Sequence, residues 1–195
     1  MLYLNQRDYR DVPYHHNVAN GGVPEKRRWI STSGCGICSA CMIVEHLTAR
    51  TLPLEECVKL SERSGANKEI GTRMKLLGPF IAELYDLEYP TTKDPKELIA
   101  HLQAGGEAAV NVGGDHDDHI GLFSHGGPYI VAVAYDGEKV CIVDPSYKVG
   151  KYEEEGRKGK VHVNYPFAYC SIEDLDADVQ NREIPYYLFK RKTGK

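Results

Sequence analysis

Three of the six cysteines in the 195-residue chain recur at intervals of three residues: Cys35, Cys38 and Cys41, in the segment SGCGICSAC. Such a run could bind an iron–sulfur cluster, form a disulfide or supply a nucleophilic thiol. A cluster needs a fourth ligand, and the other three cysteines show no paired spacing. A bridge between Cys38 and Cys41 is disfavoured because these residues lie one helical turn apart. The pattern favours reduced thiols without a metal or other cofactor.

Cys35 differs from the other two because it lies between Gly34 and Gly36, directly before a predicted helix. A thiol there meets unpaired backbone N–H groups and the positive end of the helix dipole, and both lower its pKa. The flanking glycines would let a substrate backbone approach the sulfur. These features favour a nucleophile, with an inert helix-start thiol as the alternative. Cys41 falls on the apolar stripe of the helix and is predicted to pack in the core.

The elements that would position Cys35 change in character along the chain. Helical periodicity and boundary residues predict helices at residues 36–49, 53–64, 72–86 and from 94 to about 105. The second half predicts a short helix at 172–179 and strands at 108–112, 129–135, 139–143, 161–163 and 184–189. Helices followed by strands predict an α+β fold, with N-terminal helices packed on an antiparallel sheet in one domain of residues 1–195.

Four features have less regular patterns. Residues 2–12 alternate weakly in polarity and predict a strand or an extended arm. Pro79 should kink or interrupt the third helix, because proline lacks the N–H that a helix interior needs. Residues 147–160 are charged and contain glycine, which favours a mobile excursion. His15 and His16 lie in a polar loop and are interpreted as solvated.

The composition restricts the partners that we expect. The net charge is −4 and charged residues make up 27% of the chain, so no general attraction to nucleic acid or anionic membrane is expected. The basic run at residues 26–28 is short and is interpreted as a solvated loop. No apolar stretch approaches the roughly 20 residues of a membrane span, and no signal peptide is evident. A cytoplasmic location with reduced cysteines is therefore predicted, while the oligomeric state stays open.

Four motifs, in the order NQRDY, GCGICS, GLFSHGGPYIVAVAYDG and VDPS, resemble those of C39-like peptidases, a branch of the papain-like cysteine peptidases. The resemblance implies a papain-like fold and a peptide or protein substrate. It assigns Cys35 as nucleophile, Gln6 as a donor to the oxyanion and Asp144 as the residue that orients the catalytic histidine. A side-chain amide and a carboxylate suit those roles chemically. The same comparison places Gly127 and Tyr129 beside the substrate.

One position departs from that pattern, because Pro128 occupies the place where the resemblance expects the general-base histidine. His125 could substitute if the glycines between the two positions allow an unusual backbone path, although a surface-loop histidine is favoured. His116 and His119 are weaker substitutes. Their segment, DHDDH at 115–119, could also bind a divalent metal, but the flanking glycines favour an exposed loop. Trp29 could line a substrate groove or simply pack.

Three hypotheses follow for the function. The first is a cysteine peptidase or related amide hydrolase with Cys35 as its nucleophile. The alternative is a catalytically inactive papain-like domain that binds a peptide or protein partner, which the proline at position 128 favours. The third is a metal-binding protein that uses the cysteine run or the 115–119 loop.

Overall fold

The computed structural model describes residues 1–15, 25–68 and 71–193, and His16 lies outside these residues. The α-helices of the described residues are α1 (Ile30–Ser33), α2 (Cys35–Thr48), α3 (Leu54–Arg63), α4 (Met74–Tyr85), α5 (Pro95–Gln103) and α6 (Ile172–Ala177). Short 3-10 helices cover Gln6–Asp8, Glu25–Arg27 and Lys151–Glu153. The predicted helices are therefore present, each with ends within about two residues of the expected ones. No described helix is long and apolar enough to cross a membrane.

The strands of the described residues form an antiparallel sheet. They are β1 (Leu87–Glu88), β2 (Thr91–Thr92), β3 (Glu107–Asn111), β4 (Tyr129–Tyr135), β5 (Lys139–Val143), β6 (His162–Asn164), β7 (Phe167–Ser171) and β8 (Tyr186–Arg191). Their order is β1-β8-β3-β4-β5-β7-β6, and β2 pairs with β8. The predicted α+β class is confirmed, and the sequence interpretation missed the short strands β1 and β2 and the alternating strand β7.

Apolar side chains cover both faces of the sheet. One core cluster joins α2, α3 and α4 to residues such as Ala109, Val131 and Val143, and the other joins α5 to Val110 and Ile142. Successive residues of each strand point to opposite faces, so neighbouring residues of β3 enter different clusters. Because β4 is central and covered on both faces, its sequence reads as an apolar run rather than an alternation. The start of β4, which borders the site, is therefore buried, and β4 is held by strands on both sides.

Three irregular segments differ in part from the expectations. Residues 2–12 contain a 3-10 helix at Gln6–Asp8 and no strand, and Pro79 does not interrupt α4, which continues to Tyr85. Residues 147–160 are charged, yet the side chains of Lys151, Tyr152 and Arg157 are at most 5% exposed. These polar side chains can be buried because they donate hydrogen bonds to buried acceptors. Sequence periodicity does not reveal such contacts.

A buried hydrogen-bonded pair, which becomes an ion pair when the imidazole is protonated, links helix α2 to strand β3. His46 Nδ1 lies 2.9 Å from Glu107 Oε2, with side chains 2% and 5% exposed, and His46 Nε2 lies 2.7 Å from the Leu2 carbonyl oxygen. Although burial opposes the charged imidazole, the contacts with Glu107 raise the pKa of His46 above its ordinary value. The pair thus fastens the N-terminal segment and α2 to the sheet.

We expect His46→Leu to lower the free energy of unfolding by about 3 kcal/mol, because it leaves the Glu107 carboxylate buried without its partner. Urea denaturation would measure this loss. Lys59→Met is the matched control, since it breaks the Lys59–Glu56 pair, whose side chains are 63% and 52% exposed. That control should cost less than about 1 kcal/mol. Equal losses in the two variants would contradict a structural role for the buried pair.

Candidate functional site

Cys35 is the first residue of helix α2 and borders an open cleft of about 430 Å³. Its Sγ accepts a hydrogen bond from the backbone N–H of Tyr129, at 3.3 Å, where strand β4 begins. The thiol is therefore held between the start of a helix and the start of a central strand. Cys38, Cys41 and Cys57 are buried, so Cys35 is the cysteine of the run that faces the cleft.

The pKa of the Cys35 thiol differs in direction from the sequence expectation. Burial of the sulfur raises the pKa above its ordinary value, and the backbone N–H groups of Tyr129 and Gly36 offset only part of that rise. The negative charge of Asp144 raises it further, while the positive charge of Lys151 lowers it. Desolvation thus outweighs the helix start, and the neutral thiol is favoured at neutral pH.

The glycines beside Cys35 serve packing within the protein. A Cβ atom on Gly34 would lie 2.6 Å from Ile30 Cγ2, and one on Gly36 would lie 2.8 Å from Thr72 Cβ. Neither glycine borders the cleft, whereas Gly127 and Tyr129 do. Gly34 and Gly36 were predicted to admit a substrate backbone, but the groups that approach them closely are Ile30 and Thr72.

Gln6 lies at the cleft beside Cys35 and is 7% exposed. Its backbone N–H donates to the Pro145 carbonyl at 2.7 Å, and its side-chain Nε2 donates to the Ser31 carbonyl at 3.1 Å. The side-chain Oε1 is buried without a partner among the described residues. The structure therefore brings Gln6 and Cys35 to one cleft, as the resemblance implied, and leaves a buried acceptor atom there.

Pro128 also lines the cleft, and no histidine is among the described residues that border it. The carbonyl oxygen of Pro128 accepts the backbone N–H of Val112 at 3.1 Å, next to the pairing of β3 with β4. Position 128 thus faces the Cys35 cleft, but its side chain cannot accept or donate a proton.

Asp144 is 2% exposed and contacts a lysine, a tyrosine and a serine rather than a histidine among the described residues. Its Oδ2 accepts from Lys151 Nζ at 2.7 Å and from the Tyr152 hydroxyl at 2.5 Å. Its Oδ1 accepts from the backbone N–H and the hydroxyl of Ser146, at 2.8 and 3.0 Å. In a triad, the orienting carboxylate faces the positive charge of a protonated imidazole. Here the positive charge beside Asp144 belongs to Lys151.

Ser146 connects this buried network to the cleft. Lys151 Nζ donates to Ser146 Oγ at 2.9 Å, and Ser146 borders both the Cys35 cleft and a second cavity of about 220 Å³. The Lys151 ammonium is paired with Asp144, so it is a charge partner and not a free base. Ser146 and Lys151 escaped the sequence interpretation because they lie in a segment without periodicity, although they follow Asp144 by only two and seven residues, respectively.

His125 borders the second cavity and not the Cys35 cleft. Its Nδ1 lies 2.9 Å from Asp115 Oδ2, and its Nε2 lies 3.1 Å from Glu154 Oε2. These two hydrogen bonds raise the pKa of His125 above its ordinary value. With a carboxylate at each ring nitrogen, the imidazole is held as a double donor, which is a poor arrangement for a general base.

The other histidines of this region have structural contacts. His119 Nε2 donates to Asp178 Oδ1 at 2.7 Å, and His116 Nδ1 donates to the Gly114 carbonyl at 2.9 Å. Within residues 1–15, 25–68 and 71–193, no group of three or more His, Cys, Asp or Glu side chains is arranged to hold a metal ion. Trp29 is half-buried, forms a backbone bridge with Pro13 and does not border the cleft.

We expect the alkylation rate of Cys35 to keep rising with pH through pH 9. Because its pKa is raised, only a small fraction is thiolate at neutral pH, so the rate at pH 7 should be below about a tenth of that at pH 9. Iodoacetamide labelling followed by peptide mass spectrometry would measure this profile, with Cys35→Ser as the control. A rate that levels off below pH 7 would show that the thiolate is already formed.

Comparison with solved structures shows which fold the chain shares. The chain is similar to a protein from Bacillus anthracis described as a "putative C39-like peptidase", with 17% sequence identity and a TM-score of 0.57. The similarity covers 95% of this chain and 96% of the other chain. No family model and no curated protein sequence matches the chain. The resemblance read from the motifs is thereby confirmed at the level of the fold.

Proposed function

We propose that this protein binds a peptide, or an extended segment of a protein partner, in the Cys35 cleft and does not hydrolyse amides efficiently. The observation that carries the proposal is the described lining of the cleft, which combines Cys35 and Gln6 with Pro128 and lacks a histidine. A papain-like thiol needs an imidazole to remove its proton and to protonate the leaving amine.

The surroundings of Cys35 agree with a binding role. Burial keeps the thiol protonated, and a neutral thiol is a weak nucleophile. The Asp144 carboxylate is already paired with the Lys151 ammonium and accepts a hydrogen bond from the Tyr152 hydroxyl, so it has no unpaired charge left for an imidazolium to balance. The cleft itself stays open and is lined by Cys35 and Gln6, whose polar groups a peptide backbone can contact.

A slow cysteine hydrolase is a second candidate, and one observation favours it. The backbone N–H groups of Tyr129 and Gly36 both lower the pKa of Cys35, and Gln6 lies at the same cleft. These groups are the type that stabilises an oxyanion when a thiolate attacks a carbonyl. Without a base to form that thiolate, the rate would depend on the small ionised fraction of Cys35.

Parallel binding and turnover assays would separate the two candidates. Fluorescence anisotropy with a pool of fluorescein-labelled octapeptides of randomised sequence would report binding, and mass spectrometry of the same mixtures would report cleavage. N-ethylmaleimide applied at pH 8.5 should label Cys35 selectively, because the other five cysteines are buried. The bound reagent would occupy the cleft, and treated Cys35→Ser protein is the matched control.

The proposal predicts saturable peptide binding, loss of that binding after Cys35 is labelled, and no cleavage above the rate of the Cys35→Ser protein. Cleavage that requires Cys35 would favour the hydrolase instead. Absence of binding in both the untreated protein and the control would overturn peptide recognition by this cleft.

A further inference from the structure

All the charged side chains among the described residues that line the Cys35 cleft are cationic. They are Arg27, Lys68, Arg73 and Arg182. The chain as a whole carries a net charge of −4, so this local excess of positive charge runs against its overall balance. Positive charges that share a cleft with low-dielectric walls add their potentials and concentrate anionic ligands.

These four residues reach the cleft from separate segments of the chain. Arg27 ends the 3-10 helix before α1, Lys68 follows α3, Arg73 precedes α4, and Arg182 follows α6. The sequence interpretation treated Arg27 as part of a solvated loop, because a short basic run by itself carries little information. Their convergence on one concave surface is a property of the fold.

Arg182 places one of these positive charges near the end of the cleft that contains Cys35. Its Nη2 donates to the Val112 carbonyl at 2.9 Å and to the Gly127 carbonyl at 3.3 Å. Gly127 lies two residues before Tyr129, whose N–H contacts the Cys35 sulfur. Burial and the charge of Glu183 raise the pKa of Tyr187, and Arg73 and Arg182 both oppose that rise, so the two guanidinium groups act on the same region of the molecule.

A second, independent feature of the cleft calls for a hydrogen-bond donor. Gln6 is 7% exposed, and its Oε1 has no partner among the described residues. A buried acceptor without a donor costs free energy. Gln6 borders the cleft, so a small shift of its side chain would bring this shielded atom to a ligand N–H and remove that cost. An inorganic anion such as phosphate offers few donors, whereas a peptide backbone offers one at each non-proline residue.

We propose that the cleft selects acidic peptides. Their aspartate or glutamate side chains would pair with the four cationic residues named above, here called the cationic rim, while a backbone N–H donates to Gln6 Oε1. This inference rests on the proposed peptide-binding function and names its ligand class. Neutral peptides share the backbone but lack the charge, and basic peptides are repelled by the rim.

The test compares a fluorescein-labelled octapeptide that contains four Asp or Glu residues with its isosteric Asn and Gln version. Wild-type protein in low salt should bind the acidic peptide at least about tenfold more tightly, and added salt should remove most of that preference. Lys68→Gln and Arg73→Gln should each weaken acidic-peptide binding about threefold, because both residues are exposed and exposed ion pairs contribute little. Both variants should weaken binding of the acidic peptide more than binding of the neutral peptide, because only the acidic peptide has carboxylates to pair with these cations.

Lys96→Gln is the matched control, because Lys96 is exposed on α5 and does not border the cleft. A weakening by this control as large as that by Lys68→Gln would mean that overall charge, not the cleft, governs binding. Equal binding of both peptides would overturn the acidic preference and leave peptide binding standing. Failure of both peptides to bind would overturn peptide binding itself. Competition by inorganic phosphate at the same concentration as the peptide would identify a simple anion site instead.

Discussion

Lys151→Met is expected to lower the free energy of unfolding by about 3–5 kcal/mol, the typical cost of removing one partner of a buried ion pair. Lys151 and Asp144 have side chains that are 6% and 2% exposed, and Nζ lies 2.7 Å from Oδ2. Removing the ammonium leaves the Asp144 carboxylate in the interior with only neutral partners. The segment that contains Lys151 would also lose one of its two side-chain hydrogen bonds to Asp144, and the one from Tyr152 would remain.

Urea denaturation of three variants would test this role. Lys148→Met is the matched control, because Lys148 is exposed on the same segment and should contribute less than about 1 kcal/mol. Adding Asp144→Asn to Lys151→Met removes the unpaired charge and should recover part of the lost stability. A loss for Lys151→Met no greater than that for Lys148→Met would show that the pair does not stabilise the fold.

Pro128→His is expected to raise Cys35-dependent hydrolysis of a peptide amide by about a hundredfold over the wild-type protein. A well-placed general base and acid contributes about 10²–10⁴ in rate. The lower end is expected here, because Asp144 is bonded to Lys151 and Tyr152 and is not free to orient the new imidazole. The introduced histidine would lie at the cleft, one residue before the N–H that contacts the Cys35 sulfur.

The matched control for this experiment is Pro128→Gln, which has a polar side chain of similar size without a group that titrates near neutral pH. Hydrolysis would be followed by mass spectrometry with each substitution in the presence and absence of Cys35→Ser. A similar increase in Pro128→Gln would mean that proline acts by restricting the backbone rather than by lacking a base. Wild-type hydrolysis as fast as that of Pro128→His would contradict the proposed binding function.

The site has several parts of a papain-like thiol enzyme but a different charge arrangement around the carboxylate. Lys151 stabilises Asp144, and His125 joins Asp115 to Glu154 at the second cavity. Both contacts involve the segment at residues 147–160, which follows the carboxylate in sequence. Pairing of a buried carboxylate with a lysine instead of a histidine makes this contact a stabilising one, because removing either partner would leave an unpaired charge in the interior.

The sequence by itself determined the order and type of most elements. Local periodicity predicted α2 through α5 and the hairpin of β4 and β5, since burial of one stripe or of a whole strand leaves a regular apolar pattern. It also placed Cys35 at a helix start, because boundary residues and glycines are local signals. The departure at Pro128 was visible for the same reason, since it concerns one position in a motif.

Only the tertiary structure decided the chemistry around those positions. The raised pKa of Cys35 depends on burial and on the N–H of Tyr129, which is 94 residues away in sequence. The pairing of Lys151 with Asp144 and the cationic rim of the cleft are likewise produced by segments that have no shared pattern. Desolvation and ion pairing depend on distances in space, and a sequence reports those distances only within a single helix, strand or turn.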